Sequence, residues 1–298
     1  MGERNAFLGR AANWIAHRLI ALALRLPYRR RVVLMGRVMS GIGARAFGLN
    51  RRVRANLAIA LPNLPESDVR RLCREVTDNI GRSTIETYSI KELTEISAAL
   101  PLSGPGWEAM LAAKAEGRGI ILVTAHFGNY AMARMALMAR DFNVGTLYRA
   151  FNNPYFEASH RHINSAQGPS FARGKAGLAG LLRHLRDHKC IAIVADQHVW
   201  DGTILTFFDL PAATTTSPAR MALKYNALLV PIYAIRKPDG FDFDILIEEP
   251  IPPATPEVMS QALNDSMERV IRAYPGQWLW THRRWKLGPK KRHARENA

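Results

Sequence analysis

The stretch "ILVTAHFGNYAMARMAL", residues 121–137, ends an apolar run with a histidine, passes through Phe-Gly-Asn and resumes with helical spacing. A strand–turn–helix passage of this kind leaves the His126 imidazole at a sheet edge and the first backbone N–H groups of the helix without intrahelical acceptors. An imidazole titrating near neutrality can take the proton of a hydroxyl that attacks an acyl carbonyl, and the N–H groups can meet the negative charge that develops. A lone histidine after a strand is nevertheless more often a structural residue satisfied by its neighbours. Arg149, Asp196 and Gln197 also fall where strands would end, and Arg173 with Gly174 and Lys175 makes a basic turn. A guanidinium fork holds phosphate oxygens in pairs, so Arg149 and Arg173 are candidate anion sites; a plain surface charge accounts for either equally well.

Groups so scattered in sequence need a sheet to gather them. "GIILVT" (119–124), "VGTLYR" (144–149), "KCIAIVAD" (189–196) and "ALLVPIYAI" (227–235) are short, mostly apolar runs, several rich in β-branched residues. Helical spacing lies between them, as in 175–188, where Leu178, Leu181, Leu182 and Leu185 share a face. Strand and helix in alternation predict an α/β fold, a mainly parallel central sheet flanked by helices, with ligands beyond the C-terminal strand ends. "FDFDILI" (241–247) alternates before turning apolar, as an edge strand would. Residues 51–100 carry helical patterns, with Pro65 and Glu66 at a helix start and Val69, Leu72, Val76 and Ile80 at helical spacing. These helices are expected to cover the sheet and show no chemistry. "TTTSP" (214–218) offers helix-capping hydroxyls.

Charge is unevenly spread. Residues 1–54 hold twelve Arg against Glu3, and 283–298 hold seven Lys or Arg against Glu296, so the ends carry +11 and +6 and the body −1. Such ends suit an anionic membrane surface, or a nucleic acid, or simple solvation. In "NWIAHRLIALALRLPYRRR", Ile15, Leu19, Leu22 and Leu26 make one stripe bordered by Trp14, Arg18 and Arg25. The pattern predicts a membrane-associating amphipathic helix over 1–35. His17, Arg18 and Arg25 interrupt the roughly 20 apolar residues of a true span. Trp278, Trp280 and Trp285 among Arg283 and Arg284 read as an interfacial patch or as base-stacking residues. Neither the pair His160 and His162 nor the pair His184 and His188 has a third ligand at fitting spacing, so no metal is expected. No dinucleotide or phosphate-loop fingerprint is present, and Cys73 and Cys190 are too few for a disulfide framework.

Six blocks together resemble one family: "RRVRANLAIALPNL" (51–64), "VTAHFGNY" (123–130), "LYRAFNNPYF" (147–156), "ARGKAGLAGLLRHL" (172–185), "VADQHVWDGTILTFFDLPAATTTSPARMALKYNALLVPIY" (194–233) and "PGQWLWTHRRWK" (275–286). In that order they resemble the bacterial lipid A late acyltransferases of lauroyl and myristoyl type, within the wider glycerolipid acyltransferases. The resemblance implies an acyltransferase domain over 36–298. It implies transfer of a fatty acyl chain from acyl carrier protein to a hydroxyl of a lipid A precursor, without metal or organic cofactor; a nucleic-acid partner is not expected, because the body of the chain is nearly neutral. It further implies a peripheral or monotopic place at the cytoplasmic face of a bacterial inner membrane. His126 would be the base, and Arg149, Asn152, Arg173, Asp196 and Gln197 would meet the substrates.

The resemblance also calls for His, four residues, then Asp or Glu to orient the imidazole, and this chain has Ala131 at that place. Three readings stay open: a deliberate inactivation, a naturally inactive relative, or another carboxylate in the role, with Asp196 ahead of Asp141 and Glu157. The alternatives in function are a non-catalytic lipid-binding relative and an acyltransferase for a different membrane lipid.

Overall fold

The β-branched runs pair side by side in a seven-stranded sheet, in a computed structural model that describes residues 18–149, 157, 163 and 167–286. In chain order the strands are β1 (Leu102–Ser103), β2 (Ile120–Thr124), β3 (Val144–Tyr148), β4 (Ser170–Ala172), β5 (Cys190–Val194), β8 (Leu228–Arg236) and β9 (Phe243–Ile247). They lie in the order β1-β9-β8-β2-β5-β3-β4, and every neighbouring pair is parallel except β8 with β9. A separate antiparallel hairpin joins β6 (Thr203–Phe207) to β7 (Leu210–Thr214). The mainly parallel α/β fold is therefore as expected. The stretch 241–247 is not the edge, however: the two-residue β1 adds itself outside β9. So short a strand carries no pattern by which sequence could announce it.

Strand β2 sits at the centre of the sheet, and all five of its residues are buried. Ile121 and Val123 face one core with Leu57, Leu72 and Val76; Ile120 and Leu122 face another with Met132, Met135 and Ile232. Burial on both faces is why the run is continuous and not alternating.

The helices before the sheet are α1 (residues 18–24), α2 (Tyr28–Val38), a π-helical turn (Met39–Gly43), α3 (Ala44–Ala46), α4 (Leu49–Ala60), α5 (Glu66–Thr87) and α6 (Ile90–Ala99). The expected helix over 1–35 is not continuous, because Pro27 ends one segment and starts the next. Residues 1–17, with Trp14, lie outside the described residues. Helix α2 runs on to Val38 and crosses α5 at Gly81, where a Cβ would stand 2.2 Å from Met35 O.

Helix α5 starts as predicted, with Glu66 and Asp68 in its first turn favourable to the helix dipole. The remaining helices are α7 (Pro105–Ala115), α8 (Tyr130–Met138), α9 (Lys175–Arg186), α10 (Ser217–Tyr225) and α11 (Pro256–Ala273). Thr216 precedes α10 without a side-chain cap, while Thr215 Oγ1 accepts from Ser217 N at 3.2 Å.

The C-terminal segment corrects another reading. Trp278 and Trp280 are fully buried, 1% and 0% exposed, and Arg284 lies beside them donating to Ala213 O and Thr214 Oγ1 at 2.7 and 2.6 Å. They are core residues rather than a patch open to lipid or bases. Their aromatic and basic composition was the only signal in sequence, and composition does not distinguish the two settings.

Candidate active site

Strands β2 and β5 are adjacent and parallel, with Thr124 opposite Val194. Two residues beyond each of these come His126 and Asp196, so the register alone sets the two side by side. His126 Nδ1 lies 2.8 Å from Asp196 Oδ1, and the His126 backbone N–H donates to Asp196 Oδ2 at 3.0 Å. Trp278 Nε1 donates to the same Oδ2 at 2.8 Å. The carboxylate is 3% exposed, while a quarter of the imidazole surface remains open. An ionised carboxylate only accepts, so Nδ1 must carry the proton and Nε2 is left as a base. Gln197 Nε2 stands 3.5 Å from it, at the outer limit of a hydrogen bond.

Burial acting alone would lower the His126 pKa, but the Asp196 charge and hydrogen bond outweigh it, and the net shift is upward even against the Arg173 charge. For Asp196, burial pushes the pKa up. The His126 charge, its hydrogen bonds and the Trp278 N–H outweigh that and hold it below the usual carboxylate range. The two shifts in opposite directions describe one ion pair when the imidazole is protonated. Ala131 therefore does not leave His126 without an acid.

The turn that carries His126 is held from two sides. Gly128 has φ 54°, and a Cβ there would come within 2.1 Å of Ala234 O, so only glycine fits. Asn129 caps α8 by accepting from Ala131 N at 3.3 Å, and its Nδ2 donates to Glu86 Oε2 at 2.8 Å. Glu86 is fully buried in a bidentate pair with Arg236, at 2.5 and 2.7 Å. Ser83 Oγ and Asn79 Nδ2 donate to Gly128 O.

From the other side the C-terminal segment lies along the turn. Gly128 N donates to Gln277 O and Leu279 N to His126 O, both at 3.0 Å. Asn129 stands at the helix start that follows His126 in the sequence, whereas nothing local marks Glu86, Arg236 or Gln277 as part of the site, beyond the place of Glu86 with Asn79 and Ser83 as polar residues inside a helical stripe.

Beside the pair opens a cavity of about 640 Å³. His126, Ala131, Arg149, Arg173 and Gln197 all line it, with apolar walls that include Val76, Ile80, Leu147, Val194 and Leu279. Arg173 follows β4, its N–H bonded to Tyr148 O at 2.9 Å, which holds it next to Arg149 at the end of β3. Arg134, one turn beyond Ala131, adds a third cation whose pKa burial lowers to about 10.

Asn152 lies outside the described residues. Of the other substitute acids, Asp141 is in the turn after α8, at the far end of that helix from His126, and Glu157 accepts from Tyr148 Oη at 3.1 Å. His160 and His162 also lie outside the described residues. His184 is bonded through Nε2 to Asn143 O at 3.0 Å. Among the described residues no three His, Cys, Asp or Glu gather around a common point.

The sequence matches the family described as bacterial lipid A biosynthesis acyltransferase over residues 4–287. A lipid A biosynthesis lauroyltransferase of Escherichia coli (strain K12) is 26% identical over 288 residues, covering 93% of this chain and 92% of that protein. A lipid A biosynthesis palmitoleoyltransferase of the same strain is 23% identical over 284 residues, 93% and 91% of the two chains. A phosphatidylinositol mannoside acyltransferase of Mycobacterium tuberculosis (strain CDC 1551 / Oshkosh) is 25% identical over 258 residues, 82% and 80% of the two chains.

Proposed function

The chain belongs to the bacterial lipid A biosynthesis acyltransferase family, and on that footing we propose that it moves a fatty acyl chain from acyl carrier protein to a hydroxyl of a lipid A precursor, with His126 as general base and Asp196 as its orienting acid. The observation that carries this is the 2.8 Å contact between His126 Nδ1 and Asp196 Oδ1 at the wall of the cavity, which leaves Nε2 unprotonated and open. Nε2 takes the hydroxyl proton as the oxygen attacks the thioester carbonyl. The C–O bond forms, the tetrahedral oxyanion collapses, the C–S bond breaks, and the thiolate leaves with the proton returned by His126.

The first-turn N–H groups of Ala131 and Met132 are already taken by Asn129, so the Arg149 guanidinium is the group suited to the oxyanion and to phosphate on either substrate. The apolar walls suit an alkyl chain. On this reading Ala131 does not silence the enzyme, and the site of action is the cytoplasmic face of the inner membrane.

The matches to mannoside acyltransferases give a second acceptor class specific support. Labelled acyl-acyl carrier protein is offered with a lipid A precursor in one reaction and a phosphatidylinositol mannoside in another. Label in the first product supports the proposal. Label only in the second overturns the acceptor and leaves the acyltransferase, while label in neither supports a non-catalytic lipid binder.

A further inference from the structure

Of the fifteen large apolar side chains that stand exposed among the described residues, seven fall between residues 19 and 59. Leu34, Val38 and Ile42 follow one another at four-residue steps along the helical run 28–46, and Phe47 comes at its end; Ile42 is 74% exposed and Phe47 64%. Gly48, at φ 61°, then turns the chain so that α4 leaves at 86° to that run. Ile42 and Phe47 are thus close to the corner of a bent elbow. Scattered apolar residues on a surface need no cause, but a sequential stripe at a corner does.

The segment itself carries charge of one sign, and the acids that face it are Glu66, Asp78 and Glu92 on α5 and α6. Residues 18–60 contain ten Arg and no Asp or Glu. Arg31 pairs with Glu92 and Arg54 with Glu66, whereas Arg37, Arg45, Arg51 and Arg52 stand exposed about the elbow. An acidic protein would answer the cations but leave Ile42 and Phe47 in water at its rim. An anionic leaflet answers both, with phosphates for the guanidinium groups and acyl chains for the apolar stripe.

We propose that the elbow from Leu34 to Arg52 is the surface by which this protein seats itself shallowly in an anionic lipid leaflet. This is a different element from the N-terminal stripe read in the sequence, although exposed Leu19 and Leu22 of α1 continue the same apolar character. No single helix among the described residues is long and apolar enough to cross a membrane. Helix α5 ties the elbow to the site, since α2 packs on it at Gly81 while Ile80, Ser83 and Thr87 line the cavity. The proposal does not depend on the acyl-transfer reading.

Cys73 and Cys190 are buried, so Ile42→Cys can be labelled alone with an environment-sensitive nitrobenzoxadiazole. The full chain is mixed with phosphatidylcholine vesicles with or without about 30% phosphatidylglycerol. The expected result is a blue-shifted, brighter label on the anionic vesicles only, and no change for a label at Leu223→Cys, exposed on α10. In sedimentation, Ile42→Ser with Phe47→Ser lowers partitioning about a hundredfold, and Arg37→Gln with Arg45→Gln about thirtyfold.

An unchanged label on protein that sediments, or unchanged partitioning of the double serine variant, overturns the proposal. So does a label that responds to acidic acyl carrier protein and not to vesicles, which assigns the surface to a protein partner.

Discussion

Asp196→Asn keeps the volume of the side chain and removes its charge. In the wild-type protein the carboxylate accepts from the His126 N–H, the Trp278 indole and, through Oδ1, His126 Nδ1. The amide can still accept from two of these. Its NH2 group, set opposite Nδ1, favours the tautomer in which Nε2 holds the proton and no longer acts as a base. The charge term is worth about 4 kcal/mol for centres about 4 Å apart at an effective dielectric constant of about 20, or roughly a thousandfold in rate. Tautomer loss adds about another tenfold, for a total near the 10⁴ seen when the orienting aspartate of a serine protease is replaced.

The assay is steady-state transfer from acyl carrier protein across a pH series. kcat falls by about 10³–10⁴, and KM for both substrates stays within about threefold because Arg149 and Arg173 are untouched. The Asp196 charge is what raises the His126 pKa against burial, so the residual ascending limb of kcat/KM moves to lower pH. Activity within about tenfold of wild type, or a limb that stays in place, refutes the pairing as the source of basicity.

Ala131→Asp is expected to change kcat by less than about tenfold, since Nδ1 is already occupied; a gain of several orders of magnitude in the same assay assigns the orienting role to position 131 instead. Trp278→Phe deletes one donor to Asp196 Oδ2 and costs about 1–3 kcal/mol of stability at neutral pH. Because the Asp196 pKa is depressed in the fold, its contribution is present above the unfolded value and is lost as pH falls through the folded one. Urea unfolding followed by circular dichroism should therefore show the variant losing stability at a higher pH than wild type. Glu86→Gln leaves Arg236 buried without its counter-charge and costs about 3–5 kcal/mol, a fall in Tm on the order of 10 °C by calorimetry; transfer per folded molecule changes less, because the amide oxygen can still accept from Asn129 at the turn.

Local pattern was enough to mark the strands 119–124, 144–149, 189–196 and 227–235, the α5 start at Pro65 and Glu66, and His126, Arg149, Asp196 and Gln197 beyond strand ends. Those features depend on residues within a few positions of one another, where side-chain period and backbone preference act directly. Which strand neighbours which is not local. His126 and Asp196 are seventy residues apart, and only the pairing of β2 with β5 in one register brings these two strand-end side chains into hydrogen-bond contact. The same holds for Glu86 with Arg236 and for Trp278 under Asp196, which join through burial between distant segments. Along the chain, Ala131 stands where a carboxylate for His126 was expected; in three dimensions a carboxylate reaches Nδ1 from the adjoining strand.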